Sequence, residues 1–170
     1  MKKASALLVV ALLGAGAAPA WAQNGKLIDT FDDWSAFASA DKSQKVCYMA
    51  SAPKKKDPAV KKRGDAYITI SHSPATKSIG VLSIRSGYAF KKGSEVEVTI
   101  GTETVRMFTE AGYAWTYDPK DDRRMLQAMK GAKDLSVKGT AENGTATKDT
   151  YSLKGIKAAH EAINKACDVK

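Results

Sequence analysis

The sequence predicts an all-β domain, an antiparallel β-sandwich of jelly-roll-like type with two short helices, one of them at the C-terminus. Three observations predict it. The dominant hydrophobic period from residue 47 to about residue 153 is two. Turn residues recur at short intervals, as Lys92-Gly93-Ser94, Gly101-Thr102 and Glu142-Asn143-Gly144. Only two segments change to the helical period.

The strands follow from alternation. Val96, Val98 and Ile100 alternate with Glu95, Glu97 and Thr99, and Leu135 and Val137 with Ser136 and Lys138. Ala66, Ile68 and Ile70 alternate with Tyr67, Thr69 and Ser71. Each run puts one face inward and one in water. Residues 79–84 are more continuously apolar, as in a central strand covered on both faces. Residues 105–108 and 113–117 add two strands around Glu110-Ala111-Gly112, and residues 34–37 read as the first strand. The stripe of Tyr113, Trp115 and Tyr117 could stack sugars or bases, but a large aromatic such as Trp115 is expected in the core.

The first helix begins at Asp118-Pro119. Asp118 caps it, Pro119 suits its first turn, Asp121 and Asp122 favour its positive end, and Gly131 stops it. Met125, Leu126 and Met129 form its apolar stripe. After Gly155 a second helix aligns Ile156, Ala159, Ile163 and Cys167 on one face, which must pack on the sheet.

The N-terminus has the form of a secretory signal peptide over residues 1–22: Lys2 and Lys3, an uncharged run over residues 6–18, Pro19, then Ala20-Trp21-Ala22. The run is too short for a stable bilayer anchor. A mature domain over residues 23–170 is expected, starting at Gln23, soluble rather than integral to a membrane. Removing Lys2 and Lys3 takes the formal net charge from +9 to +7, a balance that suits anionic surfaces.

Cys47 and Cys167 are the only cysteines. In an oxidising compartment they form one disulfide, which the chain-entropy model values at up to about 5 kcal/mol for so long a loop. The competing arrangement is a metal site of Cys47, His72, His160 and Cys167, which lacks any local ligand pair. No metal or other cofactor is expected.

Catalytic signals are sparse. His72 and His160 are candidates for acid–base work, but partial burial at the helix–sheet contact is the preferred reading. Asp32-Asp33 and Asp121-Asp122 are adjacent pairs, not carboxylates set across a cleft. There is no phosphate-cradling glycine loop, and the aromatics are not interleaved with lysines as nucleic-acid binding requires. The strongest surface signal is residues 54–63. Lys54, Lys55, Lys56, Lys61, Lys62 and Arg63 form a basic loop, relieved only by Asp57, fit for an anionic envelope component or an acidic protein; the alternative is a solvated loop that merely keeps the protein soluble. Arg63-Gly64-Asp65 matches an integrin-recognition tripeptide, a motif that also arises by chance.

Several motifs recur in a fixed order: Asp33-Trp34, Lys45-Val46-Cys47 with its basic sequel, Arg63-Gly64-Asp65, and Gly87-Tyr88-Ala89-Phe90-Lys91-Lys92-Gly93-Ser94. Ala114-Trp115, Ala128-Met129-Lys130-Gly131, Asp149-Thr150-Tyr151-Ser152-Leu153-Lys154-Gly155 and Cys167 follow. In this order the chain resembles the invasion-associated locus B family of proteobacterial envelope proteins. That pattern carries a further cysteine about where Ala38 stands, so a second cysteine pairing is absent here. The resemblance implies a β-sandwich and a non-enzymatic accessory or binding protein of the periplasm, the outer membrane or the exterior, linked by family name to host-cell invasion. An envelope-acting hydrolase with a histidine site is the alternative.

Overall fold

The computed structural model describes residues 25–39 and 44–170. The signal peptide read at residues 1–22 and the expected start at Gln23 lie outside the described residues. Among the described residues ten strands form: β1 (Lys26–Phe31), β2 (Trp34–Ala38), β3 (Cys47–Ser51), β4 (Tyr67–Ser73), β5 (Ser78–Arg85), β6 (Glu95–Ile100), β7 (Glu103–Glu110), β8 (Tyr113–Trp115), β9 (Asp134–Thr140) and β10 (Ala146–Ser152). Helix α1 (Pro119–Gly131) joins β8 to β9, and α2 (Ile156–Cys167) follows β10.

The strands are antiparallel throughout, in the order β1-β2-β3-β4-β5-β8-β7-β6-β9-β10. This corrects the sandwich expectation. In place of two stacked sheets there is one continuous sheet, curled as a half-barrel. Period-two alternation is common to both architectures, because each needs one dry face per strand. The chain segment after β3 shows how far the curl goes. Lys55 makes an antiparallel bridge to Thr150 of β10, the edge strand farthest from β1. The Lys55 carbonyl accepts from the Thr150 amide at 2.9 Å, and the Lys54 amide donates to the Thr150 carbonyl at 2.8 Å. The Trp34 indole adds a bond to the Ser152 carbonyl at 3.1 Å.

The two helices cover the inner face. Helix α2 packs on β1 to β4, and α1 on β5, β6 and β7. The apolar residues read from alternation do face inward: Ile68, Ile70, Val96, Val98, Ile100, Leu135 and Val137 join one buried cluster with Trp34, Met49, Met107 and Ile163. Ile79, read as part of a buried run, is exposed beside the register shift between Ser71 and His72.

Both helices begin as the sequence requires. The Asp118 carboxylate accepts from the Lys120 amide at 2.7 Å. Asp122 does more than favour the helix dipole. It is buried, accepting from the Leu82 amide at 3.0 Å and the Thr116 hydroxyl at 2.8 Å, and so pins α1 to β5. Burial pushes its carboxyl above the ordinary aspartate range. In α2 the predicted face of Ile156, Ala159, Ile163 and Cys167 is the buried one. Cys167 thereby meets Cys47 on β3, and the two are joined across 120 residues of sequence.

Gly155 caps the start of α2 with φ of +90°, and a Cβ there would overlap the Phe31 carbonyl oxygen. Gly155→Ala is therefore expected to cost at least about 1–3 kcal/mol, the range for a residue forced into such backbone. Urea unfolding of the two proteins measures the difference.

Candidate functional site

The inward positions of β10 are Thr147, Asp149 and Tyr151, a polar row beside the Val137 and Leu135 side chains of β9. Asp149 sits in register with Val137 of β9, and its side chain is 2% exposed. Arg63, whose side chain is 3% exposed, neutralises it. One guanidinium nitrogen donates to Asp149 Oδ1 at 2.7 Å and the other to Asp149 Oδ2, while Nε donates to the Ser86 carbonyl. The Tyr88 ring lies 4.9 Å from the guanidinium carbon. The Asp57 amide donates to Asp149 Oδ1 at 2.9 Å. Burial works against the Arg63 charge, but Asp149 outweighs it and holds the guanidinium above its ordinary range.

This pair divides the basic segment. Arg63 belongs to the interior, not to the expected anion-binding surface, and Arg63-Gly64-Asp65 cannot offer its guanidinium to a receptor. The five lysines stay exposed. Lys54 pairs with Asp33, which holds the Asp33 carboxyl below its ordinary range, and Lys56 donates to the Gly64 carbonyl at 2.6 Å. Among the described residues Lys55, Lys61 and Lys62 face no carboxylate within ion-pair distance. Asp57, which the charge pattern marks only as relief, staples the segment to β10. Its carboxylate accepts from the Ala59 and Lys148 amides, both at 2.9 Å. These two bonds hold its carboxyl below the ordinary range.

The histidines meet. His72, on β4 in register with Cys47, accepts at Nδ1 from the Gly80 amide at 2.9 Å. Its other nitrogen therefore carries the proton and donates to Asn164 Oδ1 at 2.8 Å. The Asn164 amide in turn donates to His160 Nδ1 at 3.3 Å, with the two rings 5.8 Å apart. A cavity of about 350 Å³ opens beside them, lined also by Ile79, Arg123 and Gln127. Burial lowers both pKa values, and for His160 the nearby Lys130 charge helps bring it to about 4. The disulfide removes both thiolates from the competing metal arrangement.

Trp115 corrects another expectation. Register places Ala114 opposite Ile84 on the inner face, so Tyr113 and Trp115 point outward and stay partly exposed. Ring size suggested burial, but the strand's phase is fixed by its neighbours. Asp149, Asn164 and Arg85 carried no sequence signal of their own. Only the order of the Asp149-Thr150-Tyr151 motif pointed near the first.

Two measurements test this geometry. Arg63→Met or Asp149→Asn alone should lower stability by about 3–5 kcal/mol, because each strands a buried charge or its donors. Joining Arg63→Met with Asp149→Leu should recover most of that loss in the same denaturation experiment. For the histidines the unfolded pKa is about 6.5 and the folded values are lower. Between these values the unfolded chain binds more protons, so stability is full above pH 6.5 and falls as pH drops toward 4. Melting curves from pH 7 to 5 should show that decline, and His160→Gln should flatten it.

The family model described as "Invasion associated locus B (IalB) protein" matches residues 34–164. No curated protein matches the chain. Among solved structures the chain is similar to the crystal structure of invasion associated protein B from Bartonella henselae, with a TM-score of 0.51 and 15% identity. The match covers 83% of this chain and 96% of that one, and at this identity it speaks for a shared fold. A curled antiparallel sheet carrying the ordered motifs, matched by the family model over most of its length, places the chain in the invasion associated locus B family.

Proposed function

We propose that this protein is a non-enzymatic accessory protein of the bacterial envelope, exported to the periplasm or the cell surface, that binds an anionic envelope component or an acidic protein through Lys54, Lys55, Lys56, Lys61 and Lys62. The observation that carries the reading is the anchoring of these exposed lysines. The segment is tied to β10 by the Lys54 and Lys55 backbone bonds, by Asp57 Oδ2 accepting from the Lys148 amide, by the Asp57 amide donating to Asp149, and by the buried Arg63–Asp149 pair. Charges held in fixed positions lose less freedom on binding than those of a wandering loop. A link to host-cell invasion comes from the names of the family and of the Bartonella protein. The hydrolase alternative is weaker, because both nitrogens of the buried His72 are taken by Gly80 and Asn164 rather than by a nucleophile or a carboxylate.

Replacing the five lysines with glutamine tests this. The melting temperature should hardly move, since these side chains are exposed and the Lys54–Asp33 pair is a surface one. Binding to native envelope fractions should fall at least about tenfold at low salt, and parental binding should weaken as salt shortens the screening length below ~10 Å. Equal binding with equal salt dependence would reduce the segment to a structural staple.

A further inference from the structure

Strand register assembles two neighbouring rows on the outer face. In the first, Tyr67 of β4 stands beside Arg85 of β5, then Tyr113 of β8, then Glu110 of β7. In the second, Thr69, Ser83, Trp115, Phe108 and Glu95 follow one another across five strands. The Arg85 guanidinium carbon lies 6.0 Å from the Tyr67 ring centre and 5.6 Å from that of Tyr113. Arg85 is exposed, and among the described residues no carboxylate forms an ion pair with it. Next to it a cavity of about 650 Å³ lies between Arg85, Tyr88 and Tyr113, with the short residues Gly87, Ala111 and Gly112 leaving backbone open to it. Trp115 continues the aromatic surface 5.9 Å from Tyr113. Tyr117, 61% exposed, lies against Phe108 and donates to Glu95 at 2.9 Å.

We propose that this outer face, centred on Arg85, Tyr113 and Trp115, binds a saccharide carrying a carboxylate. A sugar ring presents C–H faces that pack on aromatic rings and hydroxyl edges that need hydrogen-bond partners, and this surface supplies both. The open backbone around Gly112 and the Glu110 carboxylate are the polar partners, while the Tyr113 hydroxyl is held by the Tyr67 hydroxyl at 3.1 Å and by Arg85 at 3.5 Å. Arg85, near both rings and with one nitrogen 3.5 Å from the Tyr113 hydroxyl, offers a planar donor fork that matches a carboxylate in two parallel bonds. Glu95 and Glu110 flank the rows, so a chain charged at every unit, such as a nucleic acid, meets repulsion, and no lysine lies in either row to track its phosphates. The site is separate from the lysine segment and stands or falls independently of it.

The probe is a disaccharide of glucuronic acid and glucose, with its methyl ester as the uncharged control, titrated by calorimetry and by amide NMR. The parent should bind the acid saturably, with shifts at Gly87, Ala111 and Gly112 and none along residues 54–62. The ester, Arg85→Gln and Trp115→Ala should each weaken binding at least about tenfold, the loss of one charged pair or one buried anchor. The five-lysine variant should bind as the parent does. If Trp115→Ala lowers the melting temperature, Arg85→Gln decides, because its side chain is exposed. No saturable binding by the parent up to about 10 mM, equal binding of acid and ester, or unchanged binding by Arg85→Gln would each overturn the proposal.

Discussion

A carboxylate on the dry face of a sheet constrains everything near it. Asp149 occupies a β10 position whose neighbours in register are Val137 and Val98. A charge there is tolerable only if a counter-charge arrives and the remaining lone pairs are filled. Arg63 and the Asp57 amide meet both conditions, and both come from the segment that follows β3. That segment must therefore cross the open end of the curled sheet. Once there, its backbone bridges Thr150 and covers part of the β10 edge, the kind of unpaired strand border that otherwise invites foreign strands. The exposed lysines are carried on the outside of this closure.

The second closure is covalent. Helix α2 lies across β1 to β4, and the Cys47–Cys167 bond ties its last turn to β3. Gly155 at the other end lets the chain pass tightly against Phe31. Between the two ends, the His72–Asn164–His160 chain fills the remaining polar positions of the contact, with each acceptor met by one donor. Adding a proton to His72 would set a donor against the Gly80 amide. The neutral form is thus a condition of the packing, and burial lowers both pKa values in the same direction.

Inner and outer faces consequently serve different ends. The inner face is filled by aliphatic side chains, two helices and the charged pair at the seam. The outer face between β4 and β7 carries rings and Arg85, while the lysines sit at the seam itself. Membership of the invasion associated locus B family rests on the matched residues and agrees with the fold shared with the Bartonella protein. The basic seam and the aromatic face are readings of this chain's own surface.

The sequence by itself determined the local structure wherever one face of an element is apolar. Val96, Val98 and Ile100, the Asp118-Pro119 helix start, and the α2 stripe ending at Cys167 each fixed an element and its buried side. With only two cysteines in the chain, the same reasoning paired Cys47 with Cys167. It did not single out β10 as a strand, because Thr147, Asp149 and Tyr151 give no hydrophobic alternation; their partners lie on a distant segment. It also could not set the phase of β8, which the pairing of Ala114 with Ile84 decides. Only the tertiary structure put Arg63 inside, Trp115 outside and ten strands into one sheet. Burial of a charge, direction of a ring and closure of a sheet depend on neighbours far away in sequence, and no local pattern records them.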